Sequence, residues 1–286
     1  MKIGAIVVLY NCRFNESKTI SSLITNLRHI DIEDFNNFKL IVFDNGIVDQ
    51  SSAIDITLNH EYYWIGKNKG LAFAYNYAYK KYKYESYDWM LLLDQDTSFP
   101  VDYLSILVRE VRRYSVRDDI AIFAPKMLYN GKLFSPSSVK FGGIHRPLYL
   151  NNNTSLYRNI FAVGSATLVK IDFIDKTQGF NDLFPIDCLD RWLYLMANKF
   201  RLYVCVIDCD VYHELSILDE TKFVSLKRYK QILTSEYRFI KLYKSSFDLY
   251  IFYLRLLSRA VRFLFKKSRI KYFNVVIKFL INHNNE

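Results

Sequence analysis

Cysteine is scarce in this chain of 286 residues, and its distribution argues against cross-links and against a structural metal site. The four residues are Cys12, Cys188, Cys205 and Cys209. Cys205 and Cys209 form a C-x3-C pair, but no second pair accompanies them, which is weak support for zinc. We therefore predict free thiols, as in a cytoplasmic protein. Since 51% of the residues are hydrophobic, a sizeable core can form without disulfides or metal.

Long hydrophobic runs are also lacking. No stretch reaches 18 uninterrupted apolar residues, so the sequence predicts no membrane-spanning helix. The first residues, "MKIGAIVVLYNCR", contain one basic residue before a short apolar run, and no small-residue cleavage site follows. We predict a first β-strand there and no signal peptide. No internal repeat is visible.

Positive charge is in excess, with a net charge of +10. Such an excess favours an anionic partner, which can be a phosphate-bearing ligand, a membrane surface or a nucleic acid. Because no known nucleic-acid-binding motif accompanies the charge, we expect no nucleic-acid partner. The sequence does not indicate an oligomeric state.

Short apolar runs of strand length alternate with helical segments over the first 125 residues. The predicted strands are 3–9, 39–45, 61–65, 89–94 and 120–125, and the predicted helices are 17–29, 70–82 and 101–114. Continuous apolar runs suit strands that are buried on both faces of a parallel sheet. The alternation predicts an α/β fold with right-handed crossovers, in which ligands bind beyond the carboxyl ends of the strands.

Three of these strands end in polar residues. Tyr10-Asn11 follows the first strand, Asp44-Asn45 ends the second, and "WMLLLDQDT" (89–97) ends in Asp94-Gln95-Asp96. We therefore expect all three ends to face one crevice. Two carboxylates at D-x-D spacing can hold one Mg²⁺ or Mn²⁺ beside a diphosphate, because these ions prefer oxygen ligands and share them with substrate phosphates. An ordinary solvated turn is the alternative.

The pattern changes in the second half of the chain. Turns and short strands are predicted over 126–160, then a strand and a helix in 160–173, a helix at 189–200 and a strand at 201–208. From about residue 222 the sequence becomes basic, aromatic and helical. We expect an α/β domain over 1–220 and a C-terminal helical segment over 221–286.

The C-terminal segment contains a stretch that favours a membrane surface. Residues 251–280 contain eight lysines or arginines and no acid, with apolar residues at helical spacing. This composition is typical of an interfacial helix on an anionic membrane. The alternative is a helical pair that packs on the domain with a solvated basic face.

Four motifs together carry a family resemblance. They are "VVLYN" (7–11), "VFDNGIVD" (42–49), "NKGLAFAYNYAY" (68–79) and "WMLLLDQDT" (89–97). In this order the chain resembles the inverting family 2 nucleotide-sugar glycosyltransferases over roughly residues 3–215. The resemblance implies a GT-A fold, which is Rossmann-like with a mostly parallel central sheet and flanking helices. The form "LLLDQD" is similar to the rhamnosyltransferase-like branch, which builds bacterial O-antigens and related surface polysaccharides.

The resemblance implies a binding role for most of the polar positions. Asp44 would contact the nucleotide base, with Asn45 and Gly46 as the accompanying turn, although a plain Asn-Gly turn is the alternative. The N-x-G-x-A-x-x-x-N pattern would line the nucleotide pocket, although Ala72 also suits a helix packing face. The positions implied in binding the nucleotide sugar are Tyr10, Asn11, Asp44, Asn45, Asn68, Gly70, Asn76, Asp94 and Gln95.

The resemblance also implies a metal site. Asp94 and Asp96 would bind Mg²⁺ or Mn²⁺, with the second acid as the principal ligand. His213, in "DVYHELSI", would complete the ligand set or contact the diphosphate. A structural histidine is the alternative, since a lone His is more often structural.

An inverting transfer needs a carboxylate that accepts the proton of the attacking hydroxyl, on the face opposite the leaving diphosphate. The matching stretch is "GFNDLFPIDCLDRW" (179–192), with Asp187 and Asp190 as candidates. We favour Asp190 as the base, with Asp187 positioning it or the acceptor. The alternative is that both are helix N-terminal acids favoured by the helix dipole. Pro185 replaces an aromatic residue of the family, and Arg191-Trp192 replaces Thr-Glu-Trp, so we expect an unusual acceptor.

The expected function is therefore a metal-dependent inverting glycosyltransferase at the cytoplasmic face of the plasma (inner) membrane, bound peripherally. The first expected donor is dTDP-rhamnose, and the acceptor is polyprenyl-linked or a glycan. A galactofuranosyl- or glucosyltransferase that uses a UDP-sugar is one alternative. A non-catalytic nucleotide-binding scaffold in a polysaccharide assembly complex is another, favoured only by the irregular "LDRW" (189–192).

Overall fold

The structure is a computed structural model that divides into two compact units. It describes residues 1–53, 58–140, 144–148, 153–213, 224–265 and 269–283. The first unit is Met1–Ser138 with Pro147–Glu214, and the second is Val139–Arg146 with Leu215–Glu286. The expected boundary after residue 220 lies outside the described residues, and the sequence did not indicate that Val139–Arg146 belongs with the C-terminal unit.

The secondary structure follows the predicted alternation through the first half of the chain. The helices are α1 (Lys18–Leu27), α2 (Ile32–Asn36), α3 (Leu71–Tyr84), α4 (Tyr103–Arg113), α5 (Ile171–Lys176), α6 (Leu189–Lys199), α7 (Leu226–Tyr243), α8 (Ser246–Leu264) and α9 (Ile270–His283). The strands are β1 (Ile3–Leu9), β2 (Phe38–Asp44), β3 (His60–Trp64), β4 (Trp89–Asp94), β5 (Thr97–Ser98), β6 (Ile120–Tyr129), β7 (Lys132–Ser135), β8 (Ser137–Lys140), β9 (Ile144–Pro147), β10 (Ser155–Tyr157), β11 (Ile160–Phe161), β12 (Thr167–Lys170) and β13 (Tyr203–His213).

The first unit is built on one mixed sheet with strand order β10-β13-β6-β12-β4-β1-β2-β3. β1 runs parallel to β2 and β4, β2 runs parallel to β3, and β13 runs parallel to β6. β12 is antiparallel to both β4 and β6, which it separates. The sheet is therefore mostly parallel, and the predicted α/β class is confirmed with one antiparallel strand inserted near its middle.

The core of this unit forms around β1, whose seven residues are all buried. Full burial of a Val, Leu or Ile side chain is worth roughly 1.5–3 kcal/mol, so this strand contributes strongly to stability. Gly4 lies in β1 beneath the ring of Tyr82 from α3, and a Cβ atom there would overlap that ring. The hydroxyl of Tyr82 donates a hydrogen bond to the carbonyl of Ala5 at 2.5 Å. These contacts fix α3 against the sheet.

The strand register places two of the predicted acids on either side of β1. Asp44 at the end of β2 is opposite Leu9, and Asp94 at the end of β4 is opposite Val8. Neighbouring strands lie about 4.8 Å apart, so the backbones of the two acids are about 10 Å apart across β1. The carboxyl ends of these strands therefore meet at one edge, as the sequence predicts.

The described residues of the second unit include the helices α7, α8 and α9, with α8 packed against α7 and α9. Its buried side chains include Leu233, Phe252, Leu256 and Phe279. The expected interfacial helix over 251–280 is divided, since α8 ends at Leu264 and α9 begins at Ile270. In the part of the chain that the structure describes, no helix has the length and apolar character needed to cross a membrane.

Candidate active site

Asp44 is fully buried, and hydrogen bonds fix both of its carboxylate oxygens. The backbone N–H of Gly46 donates to Oδ1 at 2.7 Å, while Gln50 Nε2 at 2.8 Å and the Tyr62 hydroxyl at 2.9 Å donate to Oδ2. A Cβ atom on Gly46 would lie 2.7 Å from Oδ1, so the turn needs glycine. The Asn-Gly turn thus orients the acid. Gln50 and Tyr62 were not foreseen, because neither lies in a motif.

The end of β1 is joined to the D-x-D loop through a side-chain amide. Gln95 Oε1 accepts a hydrogen bond from the backbone N–H of Tyr10 at 2.7 Å, and Gln95 Nε2 donates to the Tyr10 carbonyl at 3.2 Å. Asn11 follows in the left-handed region, with φ of 50°, and is exposed. The structure thus brings together these three predicted residues at the edge of the sheet, with half of the Tyr10 side chain open to solvent.

Three buried hydroxyl groups hold the backbone of the D-x-D loop. The Asp94 and Thr97 carbonyls share the single proton of the Thr19 hydroxyl, whose oxygen accepts from the Thr97 N–H at 2.9 Å. Ser17 Oγ donates to the Gln95 carbonyl at 2.8 Å, and Ser165 Oγ accepts from the Asp94 N–H at 2.9 Å. Sequence reasoning missed Ser17, Thr19 and Ser165, since only the fold brings them to this loop.

The charges of the predicted acids affect the pKa values of two neighbouring groups, Cys12 and Tyr75. Burial raises the pKa of the Cys12 thiol, and the negative charges of Glu16, Asp96 and Asp44 raise it further. Burial also raises the pKa of Tyr75 well above its usual range, and the charges of Asp94 and Asp190, together with a hydrogen bond to Asp94, act in the same direction. Cys12 therefore lies near Asp44 and Asp96, and Tyr75 lies near Asp94 and Asp190.

Asp190 lies in the first turn of α6 and has a raised pKa. Burial of its carboxyl group is the main cause, and the charge of Asp187 adds to it, while Arg191 opposes it. The Arg191 backbone N–H donates to Asp190 Oδ1 at 2.7 Å. A helix N-terminus by itself would lower this pKa. A raised pKa suits a general base, whereas an acid that only caps a helix would have a lowered pKa.

Asp187 precedes the helix, because Cys188 adopts a left-handed conformation with φ of 65° at the N-cap position. Since the two candidate acids are not both helical, they do not share one face by helical spacing. Their proximity is instead shown by the effect of Asp187 on the pKa of Asp190.

The residues before α3 form a compact turn. Asn45 Oδ1 accepts from the Lys69 N–H at 2.9 Å, and Asn68 Oδ1 accepts from the Gly70 N–H at 2.8 Å. The first backbone N–H groups of α3, those of Leu71 and Ala72, both donate to the carbonyl of Pro185 at 2.6 and 3.2 Å. The N–H groups of Leu71 and Ala72 are therefore already bonded to the protein backbone. The Ala72 side chain is buried and acts as a packing residue.

Asn76 makes its hydrogen bonds with the segment that precedes α6. Its Nδ2 donates to the Phe180 carbonyl at 2.8 Å and to Asp182 Oδ1 at 3.2 Å, and its Oδ1 accepts from the Phe180 N–H at 2.7 Å. The implied role of Asn76 in the nucleotide pocket stays a prediction.

The oxygen ligands expected of a Mg²⁺ or Mn²⁺ site are present in Asp94 and Asp96. The backbone of His213 pairs with Thr97, which follows Asp96, but the His213 side chain lies outside the described part of the structure. Among the described side chains, no group of three or more His, Cys, Asp or Glu residues is placed to share a metal ion. The two acids fit such an ion chemically, and a full protein ligand set is not seen in the residues described.

Comparison with known proteins assigns the chain to a family. Residues 5–176 match the model of glycosyl transferase family 2. The structure is similar to that of GalNAc-T7 with UDP, GalNAc and Mn²⁺, with a TM-score of 0.69, 12% identity and coverage of 91% of this chain and 51% of that chain. It is also similar to S. aureus TarS 1–349 in complex with UDP-GlcNAc, with a TM-score of 0.60, 16% identity and coverage of 96% and 79%.

The chain thus spans about half the length of the GalNAc-T7 structure. No curated protein sequence matches the chain. At these identities the structural likenesses show the fold, which is the expected GT-A architecture. The family follows from the sequence match over more than half of the residues: this chain belongs to glycosyl transferase family 2.

Proposed function

We propose that this family 2 member transfers a sugar from a nucleotide-diphosphate sugar to a hydroxyl group of a lipid-linked or glycan acceptor, with inversion at the anomeric carbon. One observation carries this proposal. Ser165 Oγ accepts a hydrogen bond from the Asp94 N–H at 2.9 Å, and a Cβ atom on the adjacent Gly164 would lie 3.5 Å from Asp190 Cβ, so the D-x-D loop and the candidate base both adjoin residues 164–165. A single displacement needs both on opposite sides of the transferred sugar.

Asp190 supplies the base in this mechanism. The acceptor hydroxyl attacks the anomeric carbon and forms the new C–O bond, while the bond from that carbon to the diphosphate oxygen breaks. The diphosphate leaves with the bonding electron pair, and the proton of the hydroxyl passes to the Asp190 carboxylate. Burial raises the Asp190 pKa towards the range in which a carboxylate accepts protons effectively.

The sugar-donor side is formed by Asp44, Asp94 and Asp96. Asp44 is held rigidly enough by its three hydrogen bonds to orient a nucleotide base. Asp94 and Asp96 would hold Mg²⁺ or Mn²⁺, with the His213 side chain as a further ligand. When bound, such an ion neutralises charge on a leaving diphosphate.

Transfer by the Asp96→Asn variant tests this arrangement. We expect a loss of at least about 100-fold in kcat, because electrostatic stabilisation of the leaving group is a dominant contribution. The thermal unfolding temperature should stay unchanged. Asp118→Asn is the matched control, since the Asp118 side chain is 99% exposed. Undiminished turnover in Asp96→Asn would rule out the role in diphosphate release.

The donor of first choice is dTDP-rhamnose, and the pathway is the synthesis of bacterial surface polysaccharide such as O-antigen or capsule. A UDP-sugar is the second candidate, because both similar structures were solved with UDP or a UDP-sugar. Calorimetric titration with dTDP, UDP and GDP, each with and without Mn²⁺, separates these candidates and measures metal dependence. Tight nucleotide binding without turnover, over a panel of acceptors, would support the non-catalytic scaffold instead.

A membrane location is supported by the charge of the C-terminal unit. Residues 215–286 contain 15 lysines and arginines against 5 aspartates and glutamates, so they account for the whole net charge of +10. Each basic residue near an anionic lipid surface contributes about 1 kcal/mol to binding. We place the enzyme at the cytoplasmic face of the plasma (inner) membrane, where it would meet polyprenyl-linked acceptors.

The apolar surface of α8 supports the same location. Its exposed apolar residues recur three and four positions apart, and they are 43–59% exposed. They are Phe247, Tyr250, Leu254, Leu257, Val261 and Leu264. We call these six residues the α8 stripe. A second copy of this chain on the stripe would bring two strongly basic units together, whereas an anionic membrane complements both the apolar stripe and the charge.

A further inference from the structure

The segment that leads to the two candidate bases is attached to α3 at three points. The side-chain amide of Asn76 exchanges two hydrogen bonds with the backbone of Phe180, at 2.8 and 2.7 Å. The ring of Tyr75 packs against the ring of Phe180, with their centroids 5.2 Å apart. The Pro185 carbonyl accepts hydrogen bonds from the first turn of α3. Residues 180–185 are therefore held along one helix.

Two glycines make these attachments possible. Gly179 has φ of 94°, and a Cβ atom there would lie 2.6 Å from Asn76 Oδ1. Gly70 has φ of 84°, and a Cβ atom there would lie 2.5 Å from the Pro185 carbonyl oxygen. Contacts this short would force the Asn76 amide or the Pro185 carbonyl to shift, so each glycine permits the close approach of the two segments. Gly131 shares the left-handed conformation, with φ of 72°, but a Cβ atom there would meet nothing within 4 Å.

We propose that Asn76 is a positioning residue for Asp187 and Asp190, which it fixes through Phe180 and the following turn, and that it does not bind the nucleotide. This inference rests on the proposed function in giving those acids a catalytic role. Three of the four hydrogen-bonding positions of the Asn76 amide are already used by Phe180 and Asp182. The Asn76 amide is thus bonded to the segment that leads to the candidate bases, where the sugar acceptor would bind.

The short chain distance explains why this attachment matters for catalysis. Asp187 follows Pro185 by two residues, so their Cα atoms are at most about 7 Å apart. A shift of the attached segment would therefore displace the nearby carboxylates by almost the same distance. Misplacing a reacting group by about 1 Å can cost on the order of 100-fold in rate.

The test is the Asn76→Ala variant, compared with the wild type in three measurements. We expect calorimetric affinities for UDP and dTDP with Mn²⁺ to stay within twofold. We expect kcat at saturating sugar donor to fall at least tenfold. In hydrogen exchange followed by mass spectrometry, residues 180–190 should exchange faster, while residues 92–98 stay unchanged.

The outcomes separate the competing roles. A tenfold loss of nucleotide affinity in folded Asn76→Ala would assign Asn76 to the nucleotide pocket and overturn the inference. Unchanged exchange in residues 180–190 would also overturn it. If the wild type shows no transfer with any donor and acceptor, the proposed function fails, and exchange and nucleotide affinity still decide whether Asn76 holds this segment.

A second variant perturbs the same contact from the other side, in case Asn76→Ala does not fold. Gly179→Ala should reproduce the loss of kcat and the faster exchange over residues 180–190, again with nucleotide affinity retained. Gly131→Ala is the control, because it introduces the same methyl group at a left-handed position with open space around it. Equal effects of the two glycine variants would overturn the inference.

Discussion

At the scale of single residues, the site depends on carboxylates whose surroundings differ. Asp44 is buried with donors on both oxygens, whereas Asp190 accepts from the backbone at the start of α6 and sits beside the charge of Asp187. The first arrangement suits a fixed recognition group, and the second suits a group that must take up a proton. In the proposed mechanism, the same residue type serves two roles because of its neighbours.

The pH dependence of transfer tests the role of Asp190. As a base it must be ionised, so kcat/KM should fall as the pH decreases through its raised pKa. Arg191→Gln removes a positive charge that lowers this pKa, so the acid limb of the profile should move to higher pH. Asp187→Asn removes a negative charge that raises it, so the limb should move to lower pH.

The measurement is kcat/KM over a pH series for the wild type and both variants, with circular dichroism as the check of folding. If the acid limb of the kcat/KM profile does not move to higher pH in Arg191→Gln and to lower pH in Asp187→Asn, Asp190 is not the base. Complete loss of turnover in folded Asp187→Asn would make Asp187 the base.

Tyr62 offers a test of the nucleotide side. Tyr62→Phe removes one of three hydrogen bonds to Asp44, and a bond to a charged group is worth about 1.5–3 kcal/mol. We expect nucleotide affinity, measured by calorimetry, to weaken about tenfold or more. Tyr63→Phe, on the next position of β3, is the control. Equal affinities in the two variants would show that orientation of Asp44 by Tyr62 is unimportant.

At the scale of secondary-structure elements, α1 holds the D-x-D loop that follows β4. The hydroxyl of Thr19 makes three hydrogen bonds with that loop and is fully buried. The D-x-D geometry is therefore set by a helix about 75 residues earlier in the chain.

Replacement of Thr19 by Val tests this link between the two elements. The change keeps the shape but leaves the Thr97 N–H and two carbonyls without their partner, which should cost about 1–3 kcal/mol per unsatisfied buried group. We expect a lower urea midpoint and weaker Mn²⁺-dependent nucleotide binding. Thr25→Val in the same helix removes only an exposed bond to the Ser21 carbonyl and should change neither measurement. Similar losses in both variants would mean that the helix, and not the loop contact, is affected.

At the scale of the whole molecule, positive charge and exposed apolar surface both occur in the C-terminal unit. Residues 1–214 contain as many acidic as basic residues, and the excess lies entirely beyond them. Neutrality suits a domain whose site is rich in carboxylates, while the basic unit suits an anionic surface. In the proposed function, sugar transfer and membrane binding therefore belong to different parts of the chain.

Vesicle sedimentation tests the membrane proposal. The double variant Leu254→Ser with Leu257→Ser removes two residues of the α8 stripe, and we expect at least tenfold weaker binding to vesicles of anionic lipid, since each buried side chain contributes about 1.5–3 kcal/mol. Wild-type binding should weaken with salt and be lower on zwitterionic vesicles. Val116→Ser is the control, because Val116 is 92% exposed in the first unit.

An alternative outcome would identify a different partner for the stripe. If the wild type is a dimer in analytical ultracentrifugation, the double variant is a monomer, and vesicle binding is equal in both, the stripe would be an interface between two copies. That result would contradict its contact with lipid and leave the proposed transfer reaction in place.

The sequence by itself determined most of the order of strands and helices over the first 125 residues, the family, and the strand ends that carry the acids. These features depend on local periodicity and short motifs, which the chain shows within a few residues. The strand ends Asp44 and Asp94 meet at one edge because parallel strands align their carboxyl ends.

Only the tertiary structure decided which distant groups complete these local features. The insertion of antiparallel β12, the hydroxyl groups around the D-x-D loop and the bonds of Asn76 to a segment 104 residues away all depend on packing between remote parts of the chain. The raised pKa of Asp190 has the same origin, since burial of its carboxyl group is its main cause. Burial is a property of the folded whole, and no spacing along the chain encodes it.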